Sequence, residues 1–194
     1  MTSIYRQIGV GCERLFRQII LDCAKYDDES FASWSYMAKT KAGVDKKLSL
    51  DGRLEFSEIK NPELKHRIKK WASEYSTSIG AKTPSDGVVF EVRQGYKSKD
   101  SKRQNADIDN ATVAWSQGYL PIFAIFSSQI DNDIVLRYTN NRCGILFGVD
   151  TENNNSSLFA FFRDVIGYDL AGFFKRNSGC IRVEIDKVLG DLLG

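Results

Sequence analysis

Two charged side chains, Glu91 and Arg93, stand one residue apart in an otherwise apolar stretch. A Pro-Ser-Asp-Gly turn signal at 84–87 precedes this stretch, which is rich in β-branched and aromatic residues and therefore predicts a strand. Because side chains alternate between the faces of a strand, Glu91 and Arg93 share one face with Val89. A carboxylate suits a hard cation such as Mg²⁺, and a guanidinium suits phosphate. Alone, such a pair is typical of a solvated ion pair on an outward strand face, and the residues around it decide whether it does chemistry.

The order of residues around this pair resembles the motif of the PD-(D/E)XK nucleases, in which an Asp near a turn is followed by Glu-x-Lys on the next strand. This chain has Pro84-Ser85-Asp86 and then Glu91-Val92-Arg93. The family core continues with a helix and a further strand, for which residues 100–118 and 120–126 are suited. The Pro-Ile-Phe-Ala-Ile-Phe run at 121–126 is similar to the matching strand of small type II restriction endonucleases.

The resemblance implies a role for each residue of the motif. Asp86 and Glu91 would bind Mg²⁺, with the Val92 carbonyl as a third ligand. Arg93 stands where the family has lysine, so it would stabilise charge on the phosphate but would not act as a general base, because it stays protonated. Lys97 is the nearest lysine with the same strand parity and is the second candidate for that catalytic position.

The position of the second metal ligand stays open between two alternatives. Asp86 has the parity of the core face, so only a turn or bulge at 86–87 would place it beside Glu91. The other source is an acid within 51–58, where Asp51 and Glu58-Ile59-Lys60 form a competing copy of the motif. Glu55, in the same segment, is an additional acid that is expected to enter the site.

A basic segment follows the motif. Residues 60–103 carry a net charge of +6, whereas residues 1–59 carry 0 and residues 104–194 carry −4. Such a band is what a polyanion-binding cleft needs. Stacking, phosphate neutralisation and base reading in double-stranded DNA are expected from Tyr96, Lys97, Lys99, Lys102, Arg103, Gln104 and Asn105. Asp107 and Asp109, further along the same predicted helix, are expected to be surface or contact residues.

Composition excludes several other classes. The four cysteines lack CxxC spacing, so a zinc site is not expected, and the one histidine, His66, makes a histidine-based triad difficult to build. No apolar run has the length of a membrane span, and no P-loop or dinucleotide fingerprint is present, so neither a membrane nor a nucleotide cofactor is expected. The expectation is a soluble cytoplasmic protein of prokaryotic type.

The pattern of the chain predicts an α/β fold with a central mixed sheet of about five strands flanked by helices. We expect one nuclease domain over 1–194, with a helical N-terminal part at 1–43 that is a dimerisation candidate and a catalytic core at 44–194. The predicted helices are 3–25, 27–41, 61–78, 100–118 and 158–174. The predicted strands are 88–93, 120–126, 134–138, 144–149 and 181–185.

The sequence therefore predicts a Mg²⁺-dependent, sequence-specific double-stranded DNA endonuclease that acts as a homodimer, as type II restriction enzymes do. Three alternatives remain open at this point. One is a structure-selective repair or junction nuclease of the same fold. The second is a non-catalytic nucleic-acid-binding module in which Arg93 marks a decayed site, and the third is a globular protein without a DNA role.

Overall fold

The computed structural model describes residues 2–39, 44–95, 101–149 and 151–193, and the side chains of 6–38, 44–95, 101–149 and 151–190. The predicted α/β class is confirmed: helices flank a mixed sheet, and a long helix stands at the N-terminus. The helices are α1 Thr2–Ala24, α2 Pro62–Ser78, α3 Ser101–Ser116, α4 Asn132–Asn140, α5 Leu158–Ala160 and α6 Leu170–Leu193. The strands are β1 Trp34–Lys39, β2 Asp45–Leu50, β3 Gly52–Glu55, β4 Gly87–Arg93, β5 Tyr119–Ile125 and β6 Gly144–Phe147.

Within the described residues the main sheet has four strands in the order β3-β4-β5-β6, close to the predicted number of about five. Strand β3 runs antiparallel to β4, whereas β4, β5 and β6 are parallel to one another. Every residue of β5 is buried, which confirms its expected central position. A separate antiparallel pair, β1 and β2, packs Trp34, Tyr36 and Leu50 against Val89 and Tyr119 of the main sheet.

Each face of the main sheet is covered by its own set of helices. On one face, Val88, Phe90 and Val92 pack with α1, α2 and the π-helix Phe161–Ile166 that continues α5. On the other face, α3 and α4 cover the sheet around Phe123 and Ile125. Glu91 and Arg93 belong to this second face, as strand alternation predicts. Strand β4 therefore carries its two charged side chains beneath a helix.

Local sequence signals explain the best-defined helix. The Asn61 side chain caps α2 by accepting a hydrogen bond from the Leu64 N–H at 3.2 Å, and Pro62 occupies the first turn. The predicted start of this helix is confirmed. At the end of α3, Gly118 adopts a φ of 79°, a left-handed conformation that glycine adopts without a steric cost.

Four predicted elements are wrong, each for a local reason. The described part of the predicted helix 27–41 forms a short 3₁₀ turn at Glu29–Ala32 and then β1, because Trp34 and Tyr36 are buried on alternate positions. Residues 134–138 form part of helix α4, which Asp131 caps and which buries Ile134 and Tyr138 one turn apart.

The predicted helix 158–174 is interrupted after Ile166, where Gly167 has a φ of 87°. The predicted strand 181–185 lies within α6.

Helix α6 ends the described chain and is only partly covered. Leu170 at its start is buried, whereas Val183, Ile185 and Val188 are exposed apolar side chains. None of the described helices combines the length and apolar character required to cross a membrane.

Candidate active site

The antiparallel register of β3 and β4 brings Asp51 beside Glu91. Gly52 pairs with Phe90, so the residue before Gly52 stands across from the residue after Phe90. The Asp51 N–H donates to the Phe90 carbonyl at 2.9 Å, and the Val92 N–H donates to Asp51 Oδ2 at 2.8 Å. An acid that lies forty residues earlier in the chain therefore stands next to the Glu91-Val92-Arg93 segment.

Arg93 joins the strand carboxylate to a buried acid on the covering helix. Its Nη2 atom lies 2.7 Å from Glu91 Oε1 and 2.8 Å from Asp107 Oδ1. The Tyr138 hydroxyl donates to the other oxygen of Asp107 at 2.7 Å. The Asp107 side chain is 5% exposed, so the expectation that it is a surface residue is wrong. A chain of charge-assisted hydrogen bonds thus runs from β4 through α3 to α4.

Helix α1 contributes two further charges to this region. Arg17 Nε donates to the Asp51 carbonyl at 3.1 Å, and Glu13 lies one turn earlier on the same helix. Gly52 permits this close approach, because a Cβ atom there would lie 2.9 Å from the Phe16 ring. Among the residues that the structure describes, Glu13, Asp51, Glu91 and Asp107 therefore share a region with the guanidinium groups of Arg17 and Arg93.

The pKa values of Glu13, Asp51 and Glu91 are raised, and burial is the main cause in each case. Burial raises the pKa of Glu91 to about 8; Arg93 opposes the shift, and the charges of Asp51, Asp107 and Glu13 add to it. Burial also raises the pKa of Asp51, against the lowering effects of the Val92 N–H, Arg93 and Arg17. The pKa of Glu13 is raised by burial and by Asp51. Burial and the neighbouring carboxylates therefore act in the same direction on these three groups.

We call Glu13, Asp51, Glu91 and Asp107, with Arg17 and Arg93, the acidic cluster. Carboxylate oxygens have the chemistry that Mg²⁺ requires, and Mg²⁺ is commonly held by one or two carboxylates with several waters. Within the part of the chain that the structure describes, however, no group of three or more His, Cys, Asp or Glu side chains is arranged to hold a metal ion. The fit is thus limited to two adjacent carboxylates, Asp51 and Glu91, with the carbonyl of Val92.

The structure does not bring Asp86 to Glu91. Strand β4 pairs regularly with β5 from Gly87 to Arg93, so the turn or bulge that Asp86 would need is not formed. Five residues of regular strand separate the two Cα atoms by about 16 Å. Asp86 is exposed and receives a hydrogen bond from the Ser85 hydroxyl. The structure therefore separates Asp86 from Glu91, and Asp51 is the acid within 51–58 that lies beside Glu91.

Glu55 also lies away from Glu91. It pairs with Gly87 at the start of β4, where it accepts a hydrogen bond from the Tyr119 hydroxyl and lies 3.6 Å from Arg53 Nη1. The competing Glu58-Ile59-Lys60 motif does not form a strand, since these residues lie between β3 and α2. Its Lys60 forms an ion pair with Asp27 instead.

The expected DNA-contacting residues divide into three groups. Tyr96, Lys97 and Lys99 lie outside the described residues, and with Lys97 so does the second candidate for the catalytic lysine position. Lys102, Arg103 and Asn105 are exposed at the start of α3. Gln104 is buried, and its amide oxygen accepts a hydrogen bond from Arg137 Nη1 at 2.6 Å. Its expected role in reading bases is therefore corrected to one in attaching α3 to α4.

Comparison with known proteins adds no relationship: no family model, curated protein or solved structure matches this chain. What the site can do must therefore be argued from its own geometry.

Sequence reasoning missed Glu13, Asp107 and Tyr138. Asp107 carried a usable signal, because it lies three residues before Asn110 and four before Ala111 on the inner stripe of α3. Glu13 and Tyr138 carried none, because their neighbours are set by how α1 and α4 pack on the sheet.

Proposed function

We propose that this chain is a Mg²⁺-dependent, sequence-specific double-stranded DNA endonuclease, of the kind represented by type II restriction enzymes, that hydrolyses phosphodiester bonds. The observation that carries the proposal is the acidic cluster: four carboxylates share two guanidinium groups at the end of a β-strand. Unbalanced buried negative charge is costly, and a bound divalent cation would relieve it.

Asp51, Glu91 and the Val92 carbonyl would hold the Mg²⁺ ion. When bound, Mg²⁺ neutralises charge on the phosphate and lowers the pKa of a water molecule. The Val92 N–H donates to Asp51 Oδ2, which orients this carboxylate against β4. Glu91 is fixed on the same strand, so a rigid part of the sheet sets the distance between the two acids.

Arg93 would contact the phosphate. A guanidinium stays protonated at every physiological pH and presents several N–H donors in a plane, so it can stabilise the charge of the transition state but cannot accept the proton from water. Its Nη2 atom is already placed between Glu91 and Asp107. Arg93 would therefore assist catalysis electrostatically rather than as a base.

Helix α3 would lie against DNA. Its first turns expose Lys102, Arg103 and Asn105, and the N-terminus of a helix favours phosphate. Part of the basic band has another use: Arg67 of α2 donates to the Val165 and Ile166 carbonyls at 2.8 and 3.2 Å. The DNA surface would accordingly be centred on α3, and two copies of the chain would match the two-fold symmetry of a palindromic site.

The direct test is cleavage of phage DNA with Mg²⁺, with EDTA, and with a Glu91→Ala variant. Discrete fragments that disappear in both controls would support a sequence-specific nuclease with Glu91 in its site. A smear would instead indicate a structure-selective repair or junction nuclease. If the wild type cuts equally well in EDTA, the Mg²⁺-dependent proposal is wrong.

One observation favours a second candidate, a non-catalytic DNA-binding module. Arg93 stands in the place of the usual lysine and forms a close ion pair with Glu91, which is also what a purely structural pair does. Such a module would bind DNA in a salt-sensitive manner, would have no cleavage activity to lose, and would not respond to Mg²⁺.

A further inference from the structure

If Glu91 binds a divalent cation, its carboxylate interacts with two positive groups, the cation and the Arg93 guanidinium. One of its oxygens lies 2.7 Å from Arg93 Nη2, and its side chain is only 14% exposed. A cation that binds Glu91 must therefore approach a guanidinium that already uses the same carboxylate. Like charges at such distances repel strongly in a poorly solvated site.

Asp107 offers the same guanidinium a second partner. Its Oδ1 atom lies 2.8 Å from Arg93 Nη2, the atom that also contacts Glu91. A guanidinium nitrogen of this kind carries two hydrogens, so it can donate to both acids at once. If Glu91 turns to a cation, Arg93 retains a charge-assisted hydrogen bond to Asp107 and is not left buried without a partner.

The second partner is held firmly in place. Tyr138 donates to Asp107 Oδ2 at 2.7 Å, and Tyr138 is fully buried with its ring stacked on Phe123 at 4.3 Å between centroids. Helix α3 fixes the backbone of Asp107, while α4 fixes Tyr138. The position of Asp107 is therefore set from two helices and does not depend on Glu91.

We propose that Asp107 is a positioning residue that retains Arg93 while Glu91 takes up a divalent cation. This inference rests on the proposed function. Asp107 contacts neither the cation nor the phosphate; it acts through Arg93, by allowing the guanidinium to shift its hydrogen bonding toward α3. Loss of the Asp107 charge would strengthen the interaction of Arg93 with Glu91 and would make the site less able to bind the cation.

The test measures Mg²⁺ affinity without cleavage, from the rise in melting temperature of EDTA-treated and dialysed protein as Mg²⁺ is added at constant ionic strength. Asp107→Asn should lower the affinity about ten-fold, the effect typical of residues that orient metal ligands. Asp109→Asn is the matched control, because Asp109 is exposed on the same helix and its loss removes the same charge. The control should change the affinity by less than about two-fold, since exposed charges are screened.

A double-mutant cycle separates an action through Arg93 from a direct one. In an Arg93→Gln background, adding Asp107→Asn should leave the Mg²⁺ affinity unchanged within about two-fold. A further fall of ten-fold in this background would overturn the proposal. Removing both charges together is milder for folding than removing one, and the melting temperature in EDTA shows for each variant whether it folds before Mg²⁺ is added.

The inference and the proposed function fail in different ways. Equal affinities for the wild type and Asp107→Asn, with clear Mg²⁺ stabilisation of both, would contradict the role of Asp107 and leave the metal centre standing. A wild type that Mg²⁺ does not stabilise would contradict the metal centre itself, and the role of Asp107 with it.

Discussion

The two ends of strand β4 place acidic side chains in different surroundings. At its start, Glu55 lies across from Gly87 and is matched by Arg53 and the Tyr119 hydroxyl. Toward its end, Glu91 is one of four carboxylates that share two guanidinium groups. Among the described residues, the acid at the first end has a cation and a hydroxyl beside it, whereas the acid at the second end lies among three other carboxylates. This accumulation of carboxylates is the basis of the cation site that we propose at the second end.

The comparison also shows what defines the site. Asp86 and Glu91 are close in sequence but lie at opposite ends of one strand, whereas Asp51 is distant in sequence and adjacent in space. Acids that are close in sequence lie far apart in space when they are on a single strand, because each residue adds about 3.3 Å. Register between neighbouring strands decides which acids meet.

Replacement of an acid at each end of β4 should give the largest contrast. Glu91→Gln should reduce the rate of Mg²⁺-dependent DNA cleavage by at least about 10³-fold, because it removes a metal ligand from the reacting centre. Asp86→Asn should leave the rate within about three-fold of wild type, since its side chain is exposed far from that centre. Single-turnover cleavage assays would measure both; a greater loss for Asp86→Asn would reverse our assignment.

Replacement of Asp51, just before β3, and of Glu55, at its end, should show the same contrast in cleavage rate, with a smaller difference. Asp51→Asn keeps an oxygen for the Val92 N–H but removes the charge, so the cleavage rate should fall about 10²-fold. Glu55→Gln should change it less than about three-fold. The same single-turnover assay applies, with binding to uncleaved DNA in EDTA as the control for folding. Equal losses at both positions would remove the distinction between the two ends.

Protein stability should depend on pH through Glu91. Its pKa is raised in the folded protein to about 8 from an ordinary 4.5, so the folded state binds the proton more tightly than the unfolded state. The contribution of Glu91 to the stability of the metal-free protein is therefore fully present below the unfolded pKa and is lost as pH rises through the folded pKa.

Glu91→Gln should weaken this dependence, to which Asp51 and Glu13 would still contribute, and should raise the free energy of unfolding above the folded pKa of Glu91. Glu55→Gln should leave the pH dependence unchanged. Thermal or urea unfolding in EDTA across this pH range would measure all three proteins. A wild type that becomes more stable than Glu91→Gln as pH rises would contradict the excess negative charge.

The smallest expected effect concerns the DNA surface. Arg103→Ala, at the exposed start of α3, should weaken DNA binding less than about ten-fold and reduce the salt slope of log K by about one. Arg142→Ala removes an exposed guanidinium from the turn after α4 and should leave the slope unchanged. Binding titrations at several salt concentrations would show the difference; equal slopes for both variants would argue against α3 as the DNA surface.

The sequence predicts this fold best where local signals agree. The capped start of α2, the site strand β4 and the fully buried β5 carry their own turn, cap and periodicity signals. Short apolar patterns are ambiguous, which explains why residues 134–138 and 181–185 were predicted as strands but lie in helices. The Asp131 cap was the signal that would have identified α4.

Local sequence patterns predict part of the candidate site. Glu91 and Arg93 follow from strand alternation, but Asp51 requires the register of β3 against β4. Asp107 requires in addition that α3 turn its inner face toward Arg93, and Tyr138 requires the packing of α4. These are long-range contacts, which no local pattern encodes.

Titration of metal-free protein with Mg²⁺ in a calorimeter, for the wild type, Glu91→Gln and Asp86→Asn, tests the central claim most directly. We predict one saturable site in the wild type and in Asp86→Asn, and its loss in Glu91→Gln. Absence of saturable binding to the wild type, or loss of binding in Asp86→Asn with retention in Glu91→Gln, would contradict a cation site at the end of β4.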